Sequence, residues 1–298
     1  MMNTLKKEFS VQKLSLNLNH GDSIYESWVL PPWALLLLRL CISTFCVTIM
    51  IVSIARGADS RWLIYLTNWS YFLLTMSMIG LTLISIFHVL KNKKDSENNW
   101  RREEYLMKNT KTVSDTQITV TEIPDTELPM PLDDGGCIVT PSLVWYEKTV
   151  WFLWVISANA GLVVTVEYWL LVFRPPTSFM DISVHALNSF FILTELFTGK
   201  LPVRILHWVY VMIFSIIYAV FTIIYWAVGG VNGRGDPFIY HILDYENGKP
   251  GSIAAVLICS VFIVAPLVQF ILYGLHRIRL RMDKKKNTNN NNINNVVI

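Results

Sequence analysis

The sequence predicts an all-α, polytopic membrane protein of six transmembrane helices, with both termini and the largest loop in the cytoplasm. Three observations carry this. Six apolar runs of spanning length recur in a chain of 298 residues that is 53% hydrophobic, and a soluble domain of that size has no core large enough to hide them. Charged residues make up only 16% of the chain and gather between the runs. The basic ones gather on one side of the runs, which fixes orientation.

The elements follow in order. Residues 1–32 are mixed and polar, and no small-residue cleavage site follows a short apolar stretch there, so the first run is expected to remain as a signal anchor. The runs are Trp33 to Ala55, Trp62 to Leu90, Thr149 to Phe173, Phe179 to Thr198, Val203 to Val228 and Ile253 to His276. The fourth is the weakest, because it holds His185, Asn188 and Glu195 and is only marginally long enough. The transmembrane domain thus covers residues 33–276, with a cytoplasmic loop at 91–148, an outer loop at 229–252 and a basic, asparagine-rich cytoplasmic tail at 277–298.

Lys6, Lys7, Lys13, Lys200, Arg204, the loop from Lys91 to Lys148 and the tail place most lysine and arginine on one face. Arg56, Arg61, Arg174, Arg234 and Lys249 are what the other face has. The side rich in positive charge is cytoplasmic. The net charge of +3 therefore reports topology; lipids are the expected partners and nucleic acid is not. In the loop, the polar run Thr110–Thr121 and Pro124, Pro129 and Pro131 predict a flexible segment. The stretch Asn287 to Asn295 cannot build a core, and Arg277, Arg279, Arg281 and Lys284–Lys286 are expected at the cytoplasmic surface. Cys41, Cys46 and Cys259 lie in apolar runs and Cys137 in the loop, with neither metal-ligand spacing nor a disulfide framework. Neither a metal nor a cofactor is expected.

Ionisable groups inside a bilayer need a partner or a task. Arg39 in the first run and Glu195 near the inner end of the fourth lie at similar depth, which predicts a structural ion pair between helices. Thr67, Glu167 and His185 fall in one outer-leaflet layer, and Asn188 lies one turn below His185 on the same helix face. Threonine, histidine and a carboxylate form a set suited to nucleophilic catalysis. Thr67 would attack, His185 would take its proton, Glu167 would orient the imidazole, and Asn68 or a backbone amide would support the oxyanion. The same residues also suit a purely structural role, since membrane threonines bond back to their own helix and histidines bridge neighbours. The glycine-rich outer loop from Gly229 to Tyr245 is apolar enough to fold back as a lid over that layer. Its His241, Asp236, Asp244 and Glu246 match no standard metal spacing. Arg234-Gly235-Asp236 is an adhesion tripeptide, common by chance, and the sequon Asn68-Trp69-Ser70 lies within a span.

Three stretches resemble the rolling stone proteins of animals: Arg61-Trp62-Leu63-Ile64-Tyr65-Leu66-Thr67-Asn68-Trp69, His185-Ala186-Leu187-Asn188-Ser189, and Tyr225-Trp226 with Gly229-Gly230 and Tyr240 to Tyr245. The likeness runs from about the first span to the sixth, and spares the termini and the cytoplasmic loop. It implies a plasma-membrane protein, with the endoplasmic reticulum as the other location, acting in fusion of muscle-precursor cells with a cell-surface partner. More distantly, it implies kinship with androgen-induced membrane hydrolases, which cleave fatty acid esters of hydroxy fatty acids with a threonine and a histidine. In this sequence Tyr65 to Thr67 and His185 match those two segments, whereas Asn68-Trp69 follows the rolling stone pattern and the long loop departs from the hydrolases. Two readings result: a fusion or membrane-organising protein without required catalysis, and a lipid ester hydrolase. A small-solute carrier is a weaker third, since no broken helices recur in matched halves.

Overall fold

A computed structural model describes residues 8–18, 22–56, 60–112 and 143–296. Among these the regular elements are helical, apart from one isolated bridge between Ser27 and Gly199. Helix α1 spans Pro32–Arg56 and starts on proline, whose missing N–H is no loss in a first turn. A 3-10 turn, Ser60–Ile64, leads into α2, Leu66–Thr112. Helix α3, Trp145–Glu167, ends in a π turn, Tyr168–Val172. The chain returns through the turn Phe179–Asp181, a second π turn at Ile182–Ala186 and α4, Leu187–Thr198. Helix α5 is Trp208–Ala227. Helix α6, Pro250–Cys259, joins α7, Ala265–Val296, through a third π turn, Ser260–Val264.

Among the described residues five helices, not the expected six, are long and apolar enough to cross a membrane; the fourth run is the one that falls short. Its polar content is the reason: Asp181, His185, Asn188 and Glu195 sit within residues 179–198. These residues traverse the bundle all the same. Near their start the Thr165 hydroxyl of α3 lies 2.6 Å from the His185 carbonyl, and at their end Trp28 Nε1 donates to the Phe197 carbonyl at 2.6 Å. His185, Asn188 and Glu195 are buried against protein, the setting in which polar groups at membrane depth are tolerated. Because this segment crosses, the first and last parts of the chain share one end: Lys286 Nζ donates to the Trp28 carbonyl at 3.1 Å. This is the basic end; the segments 60–65, 173–178 and 228–249 form the far end.

Small and polar side chains let the helices meet closely. A Cβ on Gly80 of α2 would stand 2.5 Å from Val150 of α3, and one on Gly161 of α3 would stand 2.7 Å from Ile192 of α4. Close backbone approach of this kind drives association where the hydrophobic effect is absent. Hydroxyl and amide pairs complete the contacts: Ser43 with Thr82 at 2.7 Å, Ser77 with Ser157 at 3.2 Å, and Asn159 with Gln269 at 3.1 Å.

Two features of the basic end differ from expectation. Helix α2 continues to Thr112, so the loop expected from Lys91 begins as an exposed helix. Residues 91–112 contain neither glycine nor proline and are rich in helix formers. Cys137 and Pro124, Pro129 and Pro131 lie outside the described residues. Arg279, expected at the surface, is buried, and its Nη1 reaches the carbonyls of Leu196, Gly199 and Leu201 at 3.3, 2.6 and 3.0 Å. It satisfies the unpaired carbonyls at the end of α4. The N-terminal strap, residues 8–18 and 22–28, is tied to the bundle. Arg204 donates to the carbonyls of Ser15 and Asn17, and Tyr210 to that of Leu14. The Arg204 guanidinium also lies 5.0 Å from the Trp151 ring.

Candidate functional site

The far end is organised by the start of α2. The first N–H groups of a helix have no partner within it. Here two phenols take them: the Leu66 N–H donates to the hydroxyls of both Tyr218 and Tyr240 at 3.0 Å. The Tyr218 hydroxyl in turn donates to the Ile64 carbonyl at 2.8 Å. The Thr67 hydroxyl and its N–H also bond to Tyr240. Burial pushes the Tyr240 phenol above its ordinary range, so it stays protonated. Tyr240 belongs to the loop 228–249, so the same bonds pin that loop to the bundle. Arg61 Nη1 donating to the Asn232 carbonyl at 2.6 Å, and Thr222 with Tyr245 at 2.8 Å, hold it further.

Beneath the loop lies a cavity of about 90 Å³ between the start of α2, the end of α3, α5 and the α6–α7 junction. Its polar lining consists of Thr67, Glu167, Tyr168, Ser215, Tyr218, Tyr240 and Ser260. The rest of the lining is apolar, including Val163, Ile242 and Val261. Glu167 bonds to the Ser260 side chain, and its Oε1 is buried without a hydrogen-bond partner. The volume is below the ~300 Å³ at which drug-sized ligand pockets begin. It suits a short apolar group or a few waters, since a water occupies ~30 Å³ of liquid.

The structure brings Thr67 and Glu167 to this one cavity, but His185 does not line it. The imidazole is buried, 4% exposed, and stacked on the Tyr168 ring with centroids 3.5 Å apart and planes 6° from parallel. Its Nδ1 has no partner. The Tyr168 hydroxyl bonds to Asp181, which caps its own turn by accepting from the Ser178 N–H at 2.8 Å. The carboxylate on the His185 side is therefore Asp181, while Glu167 faces Ser260. Asn68 does not line the cavity either; its amide donates to the Trp62 carbonyl at 2.6 Å and steadies the preceding turn. Asn188 donates to the Val184 carbonyl at 3.4 Å beside Gly161. Arg39 and Glu195 form a two-pronged pair, Nη2 to Oε1 at 2.5 Å and Nε to Oε2 at 3.1 Å. Arg39 Nη1 adds Ser85 at 2.7 Å, and both charged side chains are 0% exposed.

Tyr218, Tyr168, Asp181 and Ser260 are residues that sequence reasoning did not place here, and Tyr240 was expected only as part of a loop folded back over the layer. All three π turns among the described residues contribute to this region: Tyr168 and Val172 from the first, His185 from the second, Ser260 and Val261 from the third. Such turns often accompany functional sites. The tyrosines carried one signal in the sequence, since Tyr240 lies in the resembling stretch after the fifth run.

A helical bundle that crosses the membrane repeatedly, with an apolar pocket under a pinned loop at one end, defines the chain as a multi-pass integral membrane protein. The family model for protein rolling stone matches residues 139–288, half of the sequence, and the chain belongs to that family. The protein rolling stone of Drosophila melanogaster is 24% identical over 263 residues, which cover 87% of this chain and 80% of that protein. No solved structure matches.

Proposed function

We propose that this protein acts at the cell surface in cell–cell fusion or the organisation of apposed membranes, using its far end as a rigid face. The observation that carries this reading is the seating of loop 228–249. Tyr240 and Tyr218 bond it to the start of α2, and Arg61 bonds it to Asn232, while Gly233, Arg234 and Gly235 at its tip stay exposed. Membership of the rolling stone family adds the expectation of fusion between muscle-precursor cells and of a plasma-membrane address. Two populations of non-fusing cells carrying different cytosolic fluorophores provide the test. Expression of the protein is expected to raise content mixing above the vector control, and mixing no greater than the control overturns the reading.

A second reading, an intramembrane hydrolase of fatty acid esters of hydroxy fatty acids, has one observation in its favour. Thr67 and Glu167 share an apolar pocket. Against it, Thr67 is bonded to Tyr240, and His185 is stacked on Tyr168 outside the lining. The histidine that this reading needs to take the threonine's proton is thus outside the cavity. The purified protein is expected neither to label with a fluorophosphonate probe nor to cleave a branched fatty acid ester. Labelling and turnover lost in both Thr67→Ala and His185→Ala would instead establish the hydrolase.

A further inference from the structure

The basic end holds a larger cavity, about 310 Å³, between the N-terminal strap, the loop Pro202–Arg204 and α7. It is separate from the far-end site. Its walls carry three carboxylates, Glu8, Asp22 and Asp283, and three cationic side chains, Arg204, Arg277 and Lys284. That balance decides the kind of ligand. A polyanion would meet the carboxylates and a simple cation would meet the arginines, whereas one anionic and one cationic group on the same molecule complement both sets.

Two further lining residues sharpen this. Arg204 is 3% exposed; its two terminal nitrogens are spent on strap carbonyls, and its Nε has no partner. His276 is 5% exposed, with Nδ1 unpartnered. Buried hydrogen-bonding nitrogens without partners are costly and rare. A phosphate oxygen is an acceptor suited to the guanidinium. Position adds a third argument. Here α7 passes from its apolar part into Arg277, Arg279 and Arg281, and Tyr273 lines the cavity, an aromatic of the kind that marks the headgroup level.

We propose that this cavity binds a phosphate ester bearing a primary amine, presented as the headgroup of an aminophospholipid at this face of the bilayer. Arg277 and Lys284 take the phosphate beside Arg204, and Glu8 and Asp283 take the ammonium. The test uses full-length protein, purified and delipidated in detergent, titrated with short-chain phosphatidylethanolamine, phosphatidylcholine, phosphatidylglycerol and soluble phosphoethanolamine. Phosphatidylethanolamine is expected to bind at least about tenfold more tightly than the choline lipid, whose amine has no hydrogen to donate, or the glycerol lipid, which has no amine. Arg277→Gln/Lys284→Gln and Asp283→Asn are each expected to weaken it by a similar factor. Arg277 and Lys284 are exposed and Asp283 is half-exposed, so these variants keep the fold, and an unchanged Tm without lipid checks it. Soluble phosphoethanolamine binding as tightly as the lipid would assign the same site to a dissolved ligand. Equal binding of all three lipids, or variants that bind phosphatidylethanolamine as wild type does, overturns the proposal.

Discussion

At the scale of single residues, the Arg39–Glu195 pair is the most consequential polar contact inside the bundle. Both side chains are wholly buried, so removing one leaves the other charge stranded. Glu195→Leu is expected to cost about 3–5 kcal/mol, whereas Arg39→Leu/Glu195→Leu should recover much of that loss, because a buried pair often does little better than apolar residues of similar volume. Ser85 keeps the Leu81 carbonyl as a partner at 2.9 Å when Arg39 is gone. Thermal unfolding in detergent reads both, and a double variant no more stable than the single would show that the pair itself contributes net stability. Depth along a helix can be counted from a sequence, which is why charges at one level can be matched. Azimuth cannot be counted. Thr67 and His185 share a layer, yet one faces Tyr240 and the other lies flat on Tyr168. The Tyr240 contact joins α2 to a loop far along the chain, and no local pattern announces it.

At the scale of elements, the tightest joint is between α2 and α3, where Gly80 leaves room for Val150. Gly80→Ala places a methyl 2.5 Å from the valine Cγ2. It should destabilise the protein by about 1–3 kcal/mol through overpacking. Gly80→Ala/Val150→Ala is expected to restore most of the loss, and failure to do so would move the strain elsewhere. Most helix positions were legible from apolar runs, because lipid-facing and core-facing surfaces are both apolar and leave long uninterrupted stretches. The fourth crossing was legible in extent, residues 179–198, but its polar residues take it below the hydropathy of a free-standing span. What remained illegible was the three π turns, since one extra residue per turn alters no composition. The extension of α2 beyond Lys91 was also hidden, because a solvated helix and a solvated loop share a polar composition.

At the scale of the molecule, the strap, loop 199–204 and the C-terminal part of α7 lie at one end, and loop 228–249 lies at the other. The charge distribution predicts that the first end is cytoplasmic. Lys249→Cys is therefore expected to react with a membrane-impermeant maleimide on intact cells, and Arg277→Cys only after permeabilisation; the reverse pattern would invert the orientation. Both positions are exposed, Cys41, Cys46 and Cys259 lie within helices of the bundle, and Cys137 of the 91–148 loop is replaced by serine so that the introduced thiol alone is read.

In the proposed fusion role the far end acts as a pinned surface, with Thr67 a structural contact of Tyr240. Content mixing between cells expressing Thr67→Val or Tyr240→Ala, compared with wild type at matched surface abundance, tests it most directly. Thr67→Val removes one hydroxyl bond, ordinarily about 1 kcal/mol, and is expected to fuse cells as wild type does. Tyr240→Ala frees the loop and is expected to lose fusion. Fusion abolished by Thr67→Val but retained by Tyr240→Ala would contradict the claim and make the Thr67 hydroxyl a reacting group.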